Sequence, residues 1–422
     1  MLSGCWQRWM NTTPTLQVEI QSLAYGGDAL GRLPDGRMVF VPFALPGETV
    51  TIRLKEEKRH HARAELVEVL IPAPERVAPR CLHYGVCGGC HYQHMSYPAQ
   101  LAAKQAILKE QLQRIASIPD PPVQPAVPSP LVWGYRNHVQ FHLAPSGALG
   151  YHKARSEEAF PMQECHLPEG ALNTIWPQLD FEPIPGLERV GLRLGAGDEV
   201  QLILESTHPD PPEISIEDLP ISVVHSSPWG ALVLAGSGTL EIDVLGRPLR
   251  VSAGSFFQVN RLMAEAMVQH LLANLPLKPE LTVLELYCGV GLFSAFIAPR
   301  VRRLVGAEAS PQACADFEAN LDEFENVELY EATAEQVVEA LDLQPEVVLV
   351  DPPRAGLGKE VTAGILARRP HTVAYVSCDP STLARDARQL IEGGYSLTQI
   401  TPFDVFPQTY HIESISLWQA AM

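Results

Sequence analysis

Two side chains in this sequence have the type and placement to make and break covalent bonds, the thiol of Cys378 and the carboxyl of Glu413. Cys378 follows the apolar run 372–376 and precedes Pro380-Ser381-Thr382-Leu383-Ala384-Arg385-Asp386, which places it where a strand hands over to a helix. A helix N-terminus favours a thiolate, so a nucleophile is expected there. Glu413 opens a strand-like stretch further on, and a carboxylate held near a reacting carbon can take up its proton. The other cysteines near this region, Cys288 and Cys314, read as buried structural thiols.

Upstream, Thr282-Val283-Leu284-Glu285-Leu286-Tyr287-Cys288-Gly289-Val290-Gly291-Leu292-Phe293-Ser294 reads as strand, glycine turn and helix. Gly289 and Gly291 let the backbone approach a ligand, and Ser294 replaces the third glycine of the dinucleotide fingerprint. Glu308 ends the next strand, where a carboxylate can accept hydrogen bonds from both hydroxyls of a ribose. No complete glycine set is present to cradle a pyrophosphate, so S-adenosylmethionine fits better than a dinucleotide. Asp351 closes a third apolar run and is followed by Pro352 and Pro353, which marks it as a pocket residue or a helix cap. Nucleophile, base and cofactor can therefore share one end of one sheet.

A second constellation lies far from the first. Cys81, Cys87 and Cys90, with Cys165 later, supply four thiols in a chain that shows no secretory signal, so metal binding is expected rather than disulfides. Four thiolates suit a [4Fe–4S] cluster. They also suit structural zinc, for which His83, His91 or His94 could replace Cys165.

The elements that must position these groups fall into three parts. Residues 15–70 alternate apolar and polar side chains between glycine turns, as a small barrel does, within a first domain over 11–70. Residues 71–255 form a central domain that begins with the cysteines, continues with an amphipathic helix over 97–115, and passes through an extended spacer holding six prolines in 119–130. Its remainder is β-rich, with strands expected near 139–143, 200–204, 231–235 and 239–244. From 256 to 422 helices alternate with apolar strands near 282–286, 303–307, 347–350 and 372–376, the pattern of a doubly wound parallel sheet.

The net charge of −18 argues against a nucleic-acid partner until it is divided along the chain. Residues 1–165 hold 16 Lys and Arg against 14 Asp and Glu, whereas residues 166–422 hold 15 against 35. A polyanion should therefore approach through the N-terminal part, where 53–63 is the densest basic stretch; the alternative is a solvated hairpin face. No apolar run is long enough for a membrane span, so a cytoplasmic monomer is expected. Met10 is an alternative start to Met1.

Taken together these residues resemble the RNA (uracil-5)-methyltransferase family, most closely its bacterial 23S rRNA members with a TRAM domain and an iron–sulfur cluster. The resemblance is carried by Ser255-Phe256-Phe257-Gln258-Val259-Asn260, Glu285 to Gly291, Asp351-Pro352-Pro353-Arg354, Ser377 to Asp386, and Phe406-Pro407-Gln408-Thr409-Tyr410-His411-Ile412-Glu413. Glu285 stands where many members have Asp. The resemblance implies a multi-domain α/β protein with an OB-like TRAM barrel, a central α+β region bearing the cluster, and a Rossmann-like methyltransferase domain. It further implies S-adenosylmethionine contacts at Gln258, Tyr287, Glu308 and Asp351, a nucleophile at Cys378 and a base at Glu413. Cys81, Cys87, Cys90 and Cys165 become ligands of a [4Fe–4S] cluster, and Phe256 and Phe257 become stacking or pocket-wall groups. The expected reaction is C5-methylation of a uridine in 23S rRNA; the alternatives are a tRNA loop uridine or a non-catalytic RNA-binding assembly factor.

Overall fold

The computed structural model describes residues 15–182, 184–215 and 219–421; Met10 lies outside them. The first strands, β1 (Thr15–Leu23), β2 (Ala29–Arg32), β3 (Met38–Val41), β4 (Thr49–Glu57) and β5 (His61–Ile71), close into a barrel in the order β1-β2-β3-β5-β4. Alternation builds it: Val18 and Ile20, Val39 and Val41, Val50 and Ile52, and Ala62 and Ala64 all point inward. The basic stretch forms the β4–β5 hairpin. Much of its charge is met locally, by Lys55–Glu65 at 2.7 Å, Lys58–Glu56 at 2.9 Å, Arg63–Asp28 at 3.2 Å and Arg53–Glu65.

Helix α1 (Tyr97–Arg114) follows the cysteine segment and accommodates Pro98 in its first turn, where no backbone donor is needed. Its Ile107 joins the barrel core, and its Leu108 and Leu112 join one face of the C-terminal sheet. The proline segment is extended as expected, but it is not a free spacer. Gln124 N–H donates to Ile400 O and Val127 N–H to Pro402 O, both at 2.8 Å, so the segment is a strap paired to the edge of that sheet. Prolines leave alternate donors free to do this, because only the intervening residues need to pair.

The central sheet contains β6 (His138–Leu143), β7 (Leu149–His152), β8 (Ala159–Pro161), β9 (Leu187–Leu194), β10 (Val200–Ser206), β11 (Ile221–Ser227) and β12 (Gly230–Ala235), with α2 (Gly170–Ile175) between β8 and β9. Its order is β12-β11-β10-β9-β6-β7-β8. The hairpin of β13 (Thr239–Val244) and β14 (Arg247–Ser252) stands apart from it, and Ile242, Val244, Leu249 and Val251 pack into the C-terminal core.

The C-terminal part runs α3 (Arg261–Asn274), β15 (Thr282–Leu286), α4 (Ser294–Ile297), β16 (Arg303–Glu308), α5 (Pro311–Leu321), β17 (Val327–Glu331), α6 (Ala334–Ala340), β18 (Val347–Val350), α7 (Gly358–Arg368), β19 (Thr372–Ser377), α8 (Pro380–Glu392), β20 (Tyr395–Phe403) and β21 (Glu413–Ala420). The sheet order is β17-β16-β15-β18-β19-β21-β20, with apolar cores on both faces. The doubly wound parallel sheet expected over 282–286, 303–307, 347–350 and 372–376 is present, and further strands extend it. β17 to β19 are parallel, but β21 inserts antiparallel between β19 and β20. A hairpin return brings a late segment back to the strand ends, which a helix crossover would not do.

Candidate active site

Gln258, Tyr287, Glu308, Asp351, Cys378 and Glu413 all line one cavity of about 630 Å³ at the carboxyl ends of β15, β16, β18 and β19. Strand ends at a change of winding direction are where open α/β sheets bind ligands. The pairing register explains how residues so distant in sequence meet. Ser377 lies opposite Ser414 in the β19–β21 ladder, so Cys378 and Glu413, one step beyond, leave the sheet side by side.

The first turn is shaped for a close ligand. Tyr287 takes a left-handed φ of 62°, and Gly289 follows at 54°, with nothing within 4 Å of where its Cβ would stand. Glu308 is held by three backbone donors, Gly289 N–H on Oε2 at 3.0 Å and Ala309 and Ser310 N–H on Oε1 at 2.9 and 2.8 Å. Ser294, in the place of the third glycine, donates to the buried Glu285 Oε2 at 2.5 Å. Burial pushes that carboxyl up to about 8, so it acts as a neutral prop beneath the turn.

The electrostatics of the pocket correct one expectation. Cys378 does precede a capped helix: Asp379 Oδ1 accepts the N–H groups of Ser381 and Thr382 at 2.8 and 3.0 Å. Yet its thiol is pushed up to about 12, by burial first and then by Glu413 and Asp351, against a lowering influence from Arg354. Desolvation and two nearby carboxyls outweigh the helix terminus. Burial alone raises Asp351 to about 7. Glu413 is raised well above the usual carboxylate range by burial and then by Asp351, with Arg354 and Lys104 opposing. Burial thus shifts all three groups toward their neutral forms.

Phe256 and Phe257 both line the cavity, Phe257 as part of the buried core and Phe256 as a ring 71% exposed. Sequence reasoning gave Arg354 and His411 no role, although both lie inside the quoted motifs and both line the cavity. Tyr25 was also missed. Its hydroxyl donates to Asp379 Oδ2 at 3.0 Å, tying the barrel to the residue after Cys378, and nothing in a barrel turn's local pattern signals that partner.

Cys81, Cys87, Cys90 and Cys165 are free thiols that line a separate cavity of about 410 Å³. Among the described residues no group of three or more His, Cys, Asp or Glu side chains is arranged to hold a single metal ion. Gly89 N–H points at Cys87 Sγ at 3.4 Å. Burial raises all four thiols, Cys90 to about 12 and Cys165 to about 11, so without a metal they are neutral.

A closed barrel accompanies an open α/β sheet of this order, with a thiol and carboxyls lining a cavity at its strand ends, where such sheets bind ligands. Residues 238–420 match the tRNA (uracil-5-)-methyltransferase family and residues 13–67 the TRAM domain. An RNA methyltransferase of Aquifex aeolicus is 34% identical over 95% of this chain and 98% of its own length. One from Streptomyces avermitilis is 32% identical over 96% and 98%. The fold is shared with the tRNA (uracil-54, C5)-methyltransferase of Pyrococcus abyssi, solved with S-adenosyl-L-homocysteine, at a TM-score of 0.72, 22% identity, and coverage of 96% of this chain and 100% of that one. The chain belongs to the RNA (uracil-5)-methyltransferase family and is an RNA methyltransferase.

Proposed function

We propose that the chain methylates C5 of a uridine in 23S rRNA through a covalent adduct between Cys378 and uracil C6. The observation that carries the mechanism is the register that sets Cys378 beside Glu413 in the cavity also lined by Glu308. Gln258, Tyr287, Glu308 and Asp351 would hold S-adenosylmethionine, Glu308 at the ribose. Bound there, the cofactor supplies an electrophilic methyl group and a positive sulfonium.

Cys378, once deprotonated, adds to C6 and drives the ring's electrons toward C5, which makes that carbon nucleophilic. Arg354 is the cation beside Cys378 and Glu413 and favours their anionic forms. After C5 is methylated, Glu413 as carboxylate takes the C5 proton; the C5–C6 double bond re-forms and the thiolate leaves. The base must leave its stack to enter the cavity, and the exposed ring of Phe256 is a face for it to rest on.

The four cysteines fit a [4Fe–4S] cluster in donor type, and all four line one cavity. That cysteine set favours rRNA, by resemblance to the bacterial 23S enzymes. A tRNA loop uridine is the second reading, favoured by the substrate named for the Pyrococcus abyssi enzyme. The reactive pair, present and adjacent, speaks against a non-catalytic assembly factor.

The test is methyl transfer from labelled S-adenosylmethionine to unmodified large-subunit rRNA and tRNA transcripts, offered separately, with nucleoside analysis. Product in rRNA alone supports the proposal; product in tRNA alone replaces its substrate. Cys378→Ala should abolish turnover and keep RNA binding, while Glu413→Gln should trap the RNA adduct. Turnover by the alanine variant, or no adduct with the glutamine variant, would remove that residue from its role.

A further inference from the structure

The cavity lined by the four cysteines has an unusual charge balance. Three permanent cations line it, Arg136, Lys153 and Arg155, and no carboxylate does. Lys153 is paired with Glu158 and Arg155 with Asp28, both through their terminal nitrogens. Among the described residues Arg136 makes no ion pair with a carboxylate, and its Nε is sealed from solvent without a hydrogen-bond partner. Its guanidinium lies over the rings of Tyr135, at 5.9 Å, and Phe406, at 5.8 Å. Aromatic faces compensate a cation only in part. A guanidinium nitrogen buried without a partner is costly, and an anion bound beside the group offsets that cost.

We propose that Arg136 is the counter-charge of a metal centre held by Cys81, Cys87, Cys90 and Cys165, and fixes that centre against the wall of the active site. The inference rests on the cluster reading given above. Four thiolates around a [4Fe–4S] core leave a net charge of about −2, and Arg136, which unlike Lys153 and Arg155 has no carboxylate partner among the described residues, offsets about half of it. The same guanidinium stacks on Phe406, a residue of the catalytic cavity, so Arg136 is a positioning residue between the two sites.

The experiment uses the full chain, reconstituted anaerobically with iron and sulfide, as wild type, Arg136→Met, Arg136→Lys and Lys153→Met. Iron and sulfide content, the rate of iron loss to a chelator, and the midpoint potential by optical titration are read for each. Arg136→Met should lose iron about tenfold faster, in the range for outer partners of metal ligands. Its potential should move negative, because reduction adds charge that the cation no longer balances. Arg136→Lys should recover most of both properties, and Lys153→Met should shift less than Arg136→Met.

A wild-type chain that takes up no metal overturns the cluster reading and this inference together. A loaded wild type with Arg136→Met unchanged in retention and potential overturns the Arg136 assignment alone. Unchanged retention and potential with weakened RNA binding would reassign the guanidinium to an RNA phosphate. Circular dichroism and thermal melting of Arg136→Met guard against misfolding, since Arg136→Lys must still differ from it in iron loss for the assignment to stand.

Discussion

At the scale of single residues, burial raises the carboxyls of Asp351 and Glu413 and the thiol of Cys378 above their usual ranges. Asp351 rises from 3.8 to about 7 through burial. A carboxyl raised on folding contributes stability that is full below its unfolded pKa and lost as pH rises toward the folded one. Asp351→Asn escapes that loss. Its thermal midpoint without cofactor should therefore pull ahead of the wild type between about pH 4 and 7 and hold a constant lead above; a gap independent of pH would refute the burial effect. Cys378, raised to about 12, should resist iodoacetamide in the free enzyme at neutral pH and gain reactivity only under clearly alkaline conditions, followed by peptide mass mapping. Rapid alkylation at pH 7 would show that the helix terminus dominates after all.

At the scale of elements, α1 reaches the active site through one buried ion pair. Lys104 Nζ donates to Asp404 Oδ1 at 2.5 Å and to Phe406 O at 3.0 Å, with both side chains essentially inaccessible. The bond anchors the start of the 404–413 segment that delivers Glu413. Removing one partner leaves a buried charge uncompensated, which costs about 3–5 kcal/mol, whereas replacing both with apolar groups costs far less. Urea denaturation should accordingly show Lys104→Met strongly destabilised and Lys104→Met with Asp404→Leu mostly restored. A single variant within about 1 kcal/mol of wild type would mean that the pair carries little. Gln408 ties down the same segment: its carbonyl accepts the N–H groups of His91 and Tyr92, both at 2.9 Å, so the cysteine segment and the Glu413 segment are joined by backbone.

At the scale of the whole molecule, the barrel is not a detachable bead. Its core includes Tyr92 and Met95 of the cysteine segment, Ile107 of α1 and Ile412 from the residue before Glu413. A chain lacking 15–70 would present those side chains to water. It should elute as aggregates or as an expanded, dye-binding species on size exclusion, and a monodisperse variant with a cooperative melt would show that the packing is dispensable. The same packing brings Tyr25 to Asp379, so the TRAM barrel touches the loop that carries the proposed nucleophile.

The alternation of Val18, Ile20, Val39, Val41, Val50 and Ile52 was enough to read the barrel, and the apolar runs ending at Leu286, Val350 and Ser377 were enough to read the parallel strands, because side-chain period and strand burial are local properties. The motifs likewise marked six residues that line one cavity and four cysteines that line another. Less was legible where a residue's state depends on distant neighbours. The mixed composition of β20 hid a strand whose partners are β21 and the proline strap. The high thiol pKa of Cys378 comes from burial and then from Glu413 and Asp351, and the unsatisfied Nε of Arg136 comes from what surrounds it in space. Periodicity and motif type were set by the chain itself; desolvation, charge balance and the pairing of remote segments were decided only when tertiary structure fixed which groups lose water and which charges face one another.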